Sequence, residues 1–472
     1  MTALNGRRSI ETAFASFYLS ADYAYKGRYV LSFTARTDGS NNFGAKQQFN
    51  PTGSLGVSWN IHQETWMEAL QPLLSTVQLR AAAGFTGNAY RAAYPQLVME
   101  YVQPYRRTQE TAYRRANVKS APNDKLRWES TRDAKLGLDV GLYNDRYRLS
   151  LEVYDRLSSD VVSSMPLVSS TGFREQTFNA ASIRNQGAEV TLSAQILRHT
   201  HWGLSATANL AYNRNILVKM DELIPSYLRS RNVGYPLNAI FSGKIQGINP
   251  LLGIYTYAPR PGEEVTTPLQ RQNLNHYIHY IGTSTPPYNG GFSISGRYKK
   301  TTLTLGGSFA FGGWVESSII PPTSSQDLYD VRPHTQLEPI PYYPNDLYAY
   351  HLNTSRKVLH RWTPQNPTTS GHPRIIDRYG DRLYLDNYMV TQRSITKASM
   401  LEKIAYLRLS HLSASYNLDF PWVQRIGIAQ ASISATVSNL ALFTNYSGFD
   451  PETPGAVYPT ARSYNVALNL TF

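Results

Sequence analysis

The last twelve residues of the chain, ARSYNVALNLTF (461–472), alternate strictly between two kinds of side chain. Tyr464, Val466, Leu468 and Leu470 share one parity with the terminal Phe472, and the positions between them hold Ser, Asn, Ala and Thr. A period of two is typical of a β-strand with one apolar and one polar face. Order and burial usually fade at chain termini. An amphipathic strand at this position therefore restricts the folds that the chain can adopt.

The same alternation recurs along the whole chain and predicts an all-β fold. Residues 430–441, QASISATVSNLA, place Ile433 and Ala435 on one face and Ser434 and Thr436 on the other. We expect about fifteen such strands, at residues 13–25, 28–38, 50–61, 76–86, 126–143, 146–157, 180–197, 201–217, 236–248, 254–259, 289–299, 302–314, 401–418, 429–442 and 461–472. Helical spacing is confined to residues 63–75, where a short helix is predicted. The parity changes near His411, which predicts a β-bulge.

The predicted connections alternate between short and long. Tight turns are expected at residues 26–27, 144–145, 198–200 and 300–301, and long polar loops at 87–125, 158–179, 218–235, 260–288, 315–400 and 443–460. This alternation is typical of a transmembrane antiparallel up-and-down β-barrel, which has short periplasmic turns and long external loops. A soluble β-sandwich or propeller also has alternating strands. The length of the strands and their Ser/Thr/Asn-rich polar faces favour the membrane barrel.

Composition narrows the possible functions. The absence of cysteine excludes disulfides and thiolate metal sites. The net charge of +13 comes from scattered basic residues, which argues against a nucleic-acid partner. The first twenty residues contain no apolar signal-peptide segment, and no stretch approaches the ~18 apolar residues of a membrane helix. The protein is therefore expected either to be cytosolic or to lack its true N-terminus.

Ten stretches, in order along the chain, resemble the C-terminal part of a SusC/RagA-type TonB-linked outer-membrane transporter. They are YVLSFTARTDGSNNFG (29–44), PTGSLGVSWNI (51–61), LRAAAGFTGN (79–88), LRWESTRDAKLGLDVGLYNDRYRLSLEVY (126–154), NAASIRNQGAEVTLSAQI (179–196), YPLNAIFSGKIQGINPLLG (235–253), PPYNGGFSISGRYK (286–299), RWTPQNP (361–367), YLRLSHLSASY (406–416) and NLALFTNYSGFDPE (439–452). Each motif is weakly specific alone, but together they cover almost the whole chain.

The resemblance implies a barrel of about 22 strands, an N-terminal plug, a TonB box and a signal peptide. None of these N-terminal parts is recognisable, so residues 1–472 are expected to be the C-terminal barrel portion without them. Because the C-terminus should lie in the periplasm, fifteen strands leave an odd number missing, about seven. The resemblance also implies that the barrel-assembly machinery reads the last strand and its final aromatic residue, Phe472.

Function follows from the same resemblance as an expectation. The chain should belong to an importer of oligosaccharides or peptides in the outer membrane of a Gram-negative cell, surrounded by its lipid. Its partners would be a SusD-like surface lipoprotein and, through the N-terminal part, the TonB complex. The alternative is a soluble glycan-binding β-protein or a domain of a glycoside hydrolase. Fractionation of the parent protein between the soluble periplasm and outer-membrane vesicles separates the two.

No catalytic, cofactor or metal site is predicted. The chain lacks G-x-S-x-G, H-E-x-x-H, P-loop and G-x-G-x-x-G motifs, so we expect no enzymatic activity. His199 and His201 fit a solvated turn better than a metal site, and the same holds for His276 and His279 in a long loop. Residues 38–42 lack the alternating acids of a calcium loop.

Two further groups of residues are predicted to have a role, one in the structure of the barrel and one in contact with a substrate or partner. Asp139 and Glu152 are expected to belong to charge ladders on the polar faces of adjacent strands, beside Lys135 and Arg148. The aromatic loop EPIPYYPNDLYAYHLN (338–353) offers stacking faces and hydroxyl groups suited to sugars or peptide backbone. Its residues are the candidate contacts with substrate or partner: Tyr342, Tyr343, Tyr348 and Tyr350.

Overall fold

The structure is a computed structural model of the chain. It describes residues 13–41, 48–88, 98–102, 115–120, 123, 125–166, 169–173, 175–222, 224, 229, 232–253, 255–262, 275–316, 360–371, 373, 398, 401–418, 420, 427–456 and 458–471. In these residues the chain forms eighteen β-strands, which pair antiparallel. They are β1 Phe14–Tyr25, β2 Tyr29–Ser40, β3 Phe49–Asn60, β4 Leu74–Asn88, β5 Val98–Val102, β6 Arg115–Ser120, β7 Glu129–Leu142, β8 Tyr147–Pro166, β9 Glu175–Arg198, β10 Trp202–Met220, β11 Ala239–Ile248, β12 Tyr255–Ala258, β13 Ile278–Thr283, β14 Tyr288–Tyr298, β15 Thr301–Glu316, β16 Leu401–Asn417, β17 Gln430–Thr444 and β18 Ser463–Thr471.

The chain divides into two compact units, residues 1–199 with 203–237 and residues 200–202 with 238–472. In the first unit, eight strands lie side by side in the order β1-β2-β3-β4-β7-β8-β9-β10, and β5 and β6 form a separate hairpin. Except for the jump from β4 to β7, sequence neighbours are also spatial neighbours. This is the up-and-down arrangement that the alternating loop lengths predict.

The second unit contains a five-stranded run, β14-β15-β16-β17-β18, and a three-stranded sheet in the order β12-β11-β13. The two units therefore hold eight and five strands in their long runs, thirteen of the fifteen that were predicted. The strands predicted at 236–248 and 254–259 belong to the small sheet instead, which corrects the sequence-based strand count. β11 pairs with β13, which was not predicted, and its burial does not alternate. Without a clear apolar face a strand carries no signal for its register or partner.

The helix predicted over residues 63–75 is wrong. This connection holds two 3-10 helices, Ile61–Gln63 and Thr65–Leu70, and β4 already begins at Leu74. Pro72 cannot continue a helix, because it has no backbone N–H to donate. Glu64 lies between the two helices and accepts hydrogen bonds from the Tyr29 hydroxyl at 2.7 Å and from Trp59 Nε1 at 3.1 Å.

The tight turns predicted at residues 26–27 and 144–145 are confirmed, whereas those predicted at 198–200 and 300–301 lie one residue away, at 199–201 and 299–300. Lys26 and Gly27 have positive φ between β1 and β2, as do Asn144 and Asp145 between β7 and β8. Both pairs suit the two-residue turns that match the twist of antiparallel strands. The predicted bulge near His411 is confirmed too, because the register of β16 against β17 shifts between Leu409 and His411.

Buried apolar residues lie near the ends of the strands that carry the long loops. One cluster combines Leu126, Trp128 and Val162, and another combines Val315, Ile404 and Tyr446. Along the strands, by contrast, large apolar side chains are exposed on one face. Examples are Phe33, Leu55, Phe85, Leu136, Val153 and Leu192, each at least 42% exposed. A sheet that leaves such a face uncovered needs an apolar medium on that side.

In the described residues, no helix has both the length and the apolar character needed to cross a membrane.

Candidate functional site

The face opposite the exposed apolar one carries polar and charged side chains across the first unit, and we call this face of β1–β4 and β7–β10 the polar wall. Three ion pairs cross between its strands. Arg80 Nε lies 2.6 Å from Asp139 Oδ2, Lys135 Nζ lies 3.0 Å from Glu152 Oε1, and Arg156 Nη2 lies 2.8 Å from Asp133 Oδ2. Each acid therefore has a cation on a neighbouring strand.

The predicted ladder is confirmed in kind and corrected in its pairing. Asp139 and Glu152 both lie on the polar wall, and Lys135 pairs with Glu152 as its position suggested. Arg148, however, pairs with Asp145 of the β7–β8 turn at 2.9 Å. Asp139 instead takes Arg80 and the Ser150 hydroxyl, which donates at 2.6 Å. The partner of Asp139 lies on β4. The predicted up-and-down order makes β4 and β7 neighbours, but sequence periodicity does not give the register that brings Arg80 to Asp139.

Amides and hydroxyls continue the polar wall toward β10. The Tyr154 hydroxyl donates to Asn213 Oδ1 at 3.2 Å, and Asn215 Nδ2 donates to Asn185 Oδ1 at 2.9 Å. Asn213 Nδ2 also donates to Asn185, at 3.3 Å. These groups both donate and accept hydrogen bonds without bearing charge. A sugar hydroxyl or a peptide group can replace water as the hydrogen-bond partner of such groups.

A cavity of about 360 Å³ opens on the polar wall near the turn ends of β7 and β8. Asp139, Ser150, Thr191 and the turn residue Asp145 are among its lining residues. Burial raises the pKa of Asp145, but hydrogen bonds from Thr76, Ser75 and Arg148 outweigh it and hold that pKa below its usual value. The cavity therefore contains a carboxylate that stays ionised at neutral pH.

The second unit has a docked loop, residues 445–462, between β17 and β18. Asp450 and Glu452 of this loop each lie 2.6 Å from the guanidinium of Arg408 on β16. The Thr460 hydroxyl donates to Asp450 at 2.7 Å, and the Tyr406 hydroxyl donates to Glu452 at 2.8 Å. Arg408 and Asp450 are buried, at 8% and 4% exposure. The cluster ties the loop to the strand by charge-assisted hydrogen bonds.

Electrostatics keep Asp450 ionised. Burial raises the pKa of Asp450, but the hydrogen bonds from Arg408 and Thr460 lower it by more than burial raises it. The pKa therefore lies below its usual value. Sequence reasoning missed this cluster. The sequence features that could have indicated it are Arg408, at a polar position of its strand, and the two acids of GFDPE (448–452). Nothing in the spacing linked the two.

The predicted contact residues Tyr342, Tyr343, Tyr348 and Tyr350 lie outside the described residues, and so does Phe472. Their proposed roles stay predictions. Asp38 accepts hydrogen bonds from the Ser16 hydroxyl and from Arg36, in agreement with a structural role. His279 lies on β13, with its Nε2 atom 2.9 Å from the carbonyl oxygen of Ala258. Among the described residues, no three potential metal ligands cluster together.

Comparison with known proteins explains the two-faced strands. The family model for the TonB dependent receptor-like β-barrel matches residues 3–440. The chain belongs to this family. Members of the family are outer-membrane proteins, so the exposed apolar face borders lipid and the polar wall borders the barrel lumen.

The chain is similar to several receptors of this kind. It is 25% identical to TonB-dependent receptor P3 of Formosa agariphila, over 98% of this chain and 46% of the receptor. It is 23% identical to TonB-dependent receptor SusC of Bacteroides thetaiotaomicron, over 97% of this chain and 43% of the receptor. The chain thus spans about half the length of these relatives.

Solved structures show the same fold. The RagAB peptide transporter superposes with a TM-score of 0.77 at 23% identity, covering 98% of this chain and 48% of that chain. The same transporter in its closed-closed state gives a TM-score of 0.78. The family match assigns the chain to the outer-membrane β-barrels and not to the soluble β-proteins that were the alternative.

Proposed function

We propose that this chain is the barrel portion of a TonB-dependent importer that carries oligosaccharides or peptides across the outer membrane. The observation that supports this most directly is the polar wall. Its strands present lipid-compatible side chains on one face and a continuous array of hydrogen-bonding groups on the other, which is what a water-filled path through a bilayer requires.

The chemistry of the polar wall favours solutes without a large net charge. The wall's ion pairs join acids to cations on neighbouring strands, as between Lys135 and Glu152. Paired charges produce a weaker field than a surface of one sign. The amides of Asn185 and Asn215 add uncharged donors and acceptors. Oligosaccharides and peptides match this surface better than polyanions or metal complexes.

One relative supports peptides as a candidate substrate class, since RagAB is described as a peptide transporter. The SusC receptor is described as TonB-dependent, which supports energy coupling through TonB. By analogy, the full protein would work with a SusD-like surface lipoprotein and with the TonB complex, and its barrel would reach the membrane through the assembly machinery. The division into a plug and this C-terminal barrel is part of the same proposal.

An uptake experiment tests the proposal. Cells that express the full-length protein are compared with a deletion strain for uptake of labelled oligosaccharides and labelled oligopeptides, with and without TonB. We expect TonB-dependent uptake of one class only. If the deletion strain takes up both classes as fast as the expressing cells do, the protein has no import role for them. Co-purification of a surface lipoprotein with the detergent-solubilised protein tests the partner.

A matched pair of variants connects uptake to the polar wall. Asn185→Leu removes an acceptor that Asn213 and Asn215 share, whereas Leu192→Met changes an exposed side chain of the same strand on the apolar face. Asn185→Leu removes both of these hydrogen bonds and takes from a passing solute one hydrogen-bond partner, worth about 1 kcal/mol, so uptake should fall about fivefold. Leu192→Met should leave it unchanged.

A further inference from the structure

We infer that the apolar face of the first unit carries a binding groove for a phosphate-bearing, acylated lipid of the outer leaflet. The groove crosses β2, β3, β4, β7, β8 and β9 and has a volume of about 760 Å³. We call it the lipid groove. It is separate from the polar wall, because most of its lining residues occupy the same alternate strand positions as the exposed apolar residues and so lie on the opposite face.

Strand register shows how the lipid groove is built. One row of cross-strand neighbours contains Phe33, Leu55, Ala83, Ala134 and Asp155. The next row, two residues further along each strand, contains Ala35, Gly53, Phe85, Arg132, Leu157 and Arg184. Each row contains two adjacent small residues, Ala83 and Ala134 in the first and Ala35 and Gly53 in the second, and the other positions hold larger side chains. A recess therefore forms between bulky side chains.

Gly53 keeps the recess deep. A Cβ atom at this position would lie 3.0 Å from the Thr34 carbonyl oxygen and 4.0 Å from the Phe85 ring. The two rows are about 7 Å apart along the strands, since each strand rises ~3.3 Å per residue. An acyl chain fits this width, whereas an α-helix with its side chains is about 10–12 Å across. The recess is therefore shaped for a lipid tail rather than for a partner helix.

One end of the lipid groove is charged. Both Arg184 and Gln186 donate hydrogen bonds to the Asp155 carboxylate, with Nε of Arg184 at 2.9 Å. Arg132 lies in the same row as Arg184, is exposed, and makes no side-chain ion pair with any described residue. Asp133 also lines the groove, but it pairs with Arg156 of the polar wall. The two guanidinium groups and the Asp155 carboxylate therefore leave an excess of one positive charge. Guanidinium groups match the geometry of phosphate oxygens.

Depth in the membrane agrees with this assignment. Asp155 is eight residues from Tyr147, the aromatic residue at the turn end of β8, and Arg132 is ten residues from the end of β7. At ~3.3 Å per residue and a tilt of about 40°, these positions lie roughly 20–25 Å above the turn end. The apolar band of such barrels is about 25 Å tall. The charged end therefore lies at the level of the outer headgroups.

The other end of the lipid groove lies deeper. Phe33 is only four residues from Tyr29, the first residue of β2, which places it roughly 10 Å above the turn end. The groove thus descends from headgroup level into the hydrocarbon as it crosses the tilted strands. A molecule with an anionic head and an apolar tail satisfies both ends at once. Neither free phosphate nor a neutral lipid does so.

Native mass spectrometry of the full-length protein in detergent tests the inference. Phosphatidic acid serves as the probe, diacylglycerol as the comparison without a phosphate and inorganic phosphate as the competitor without a tail. We expect one tightly retained phosphatidic acid per protein, and about tenfold weaker retention in the Arg132→Gln/Arg184→Gln variant. Ala83→Leu, which fills the recess without changing charge, should weaken retention too.

Ala206→Leu is the matched control, since it enlarges a residue of the apolar face on β10 that does not line the groove. It should retain the lipid as the wild type does. Heat-modifiable migration confirms that each variant is folded before binding is compared. Unchanged retention in both groove variants would overturn the site. Displacement by inorganic phosphate alone, or equal retention of diacylglycerol, would overturn the assignment of a phosphorylated lipid.

Discussion

The guanidinium of Arg408 and the carboxylate of Asp450 form an ion pair that joins β16 to the docked loop, with Nη2 2.6 Å from Oδ1. Their side chains are only 10% and 5% exposed. Glu452 supplies a second carboxylate at 2.6 Å, and it is more exposed, at 42%. A single arginine thus holds two acids of one loop, and the position of the loop depends on that arginine.

Removal of Arg408 should therefore be costly. Arg408→Leu leaves the buried Asp450 carboxylate without its cation, and breaking a buried pair in this way costs about 3–5 kcal/mol. We expect a drop of that order in the free energy of unfolding of the full-length protein, measured by urea titration in lipid vesicles. Proteolysis within residues 445–462 should become faster as well.

Arg127 and Asp160 provide the control. They form a more exposed pair, with side chains 52% and 30% exposed, and exposed pairs contribute about 0–1 kcal/mol. Arg127→Leu should therefore leave the docked loop as protease-resistant as in the wild type. If Arg408→Leu and Arg127→Leu destabilise the protein equally, the docked loop does not depend on its buried pair.

Acid should release the docked loop. The pKa of Asp450 is lowered in the folded state, because its hydrogen bonds outweigh the opposing effect of burial. A group with a depressed folded-state pKa stabilises the fold fully above its ordinary pKa and loses that contribution as pH falls through the folded value. Docking should thus be constant from about pH 8 to about pH 5 and be lost only below pH 3.8.

Hydrogen exchange of the loop amides, corrected for the intrinsic effect of pH, measures this transition. The Asp450→Asn variant is the control, because it removes the titrating group. Its loop should exchange faster at neutral pH and show a smaller acid transition. A wild-type transition centred near pH 6 would identify another group as the cause.

The connection between β3 and β4 offers a third prediction. The Glu64 carboxylate is buried and accepts hydrogen bonds from Tyr29 and Trp59, which hold its pKa below its usual value. Glu64→Ala would leave both donors unsatisfied and should cost about 1–3 kcal/mol. Trp59 fluorescence reports the local change, and denaturant titration reports the stability.

Glu68 is the matched control in the same turn, since it is exposed. Glu68→Ala should change stability by less than about 0.5 kcal/mol. A Glu64→Ala variant with the stability of the wild type would show that Tyr29 and Trp59 find other acceptors.

Alternation in the sequence was enough to predict the faces of the strands. Ile433 and Ala435 on one parity, and Ser434 and Thr436 on the other, need no knowledge of neighbouring strands. The tight turns followed from residues that tolerate positive φ, such as Gly27 and Asn144. These features are local, and local sequence determines them.

Features that depend on the register between strands could not be predicted. The up-and-down order makes β4 and β7 neighbours, but the Arg80–Asp139 pair also requires one particular register between them, which alternation does not specify. The Arg408 cluster depends on how a loop folds back, and the lipid groove depends on the register of six strands. The separation of β11 and β12 from the long runs has the same origin, because weak alternation does not specify a partner.

The last prediction concerns which face meets lipid. Ala206 of β10 pairs with Ala194 on the apolar face, whereas Thr207 pairs with Ser193 on the polar wall, with their hydroxyls 3.4 Å apart. An arginine near the bilayer midplane on the lipid side costs about 2–4 kcal/mol. Ala206→Arg should therefore destabilise the full-length protein by that amount in a membrane-refolding titration.

Thr207→Arg should cost much less, because a lumen-facing arginine remains hydrated. Ala435→Arg and Thr436→Arg form the equivalent pair on β17, where Ala435 lies opposite Ala414 and the Thr436 hydroxyl donates to Ser413 at 3.0 Å. The two pairs come from separate units and test each orientation independently. Equal penalties within a pair would refute the assigned faces of that strand, because only a lipid boundary penalises one parity over the other.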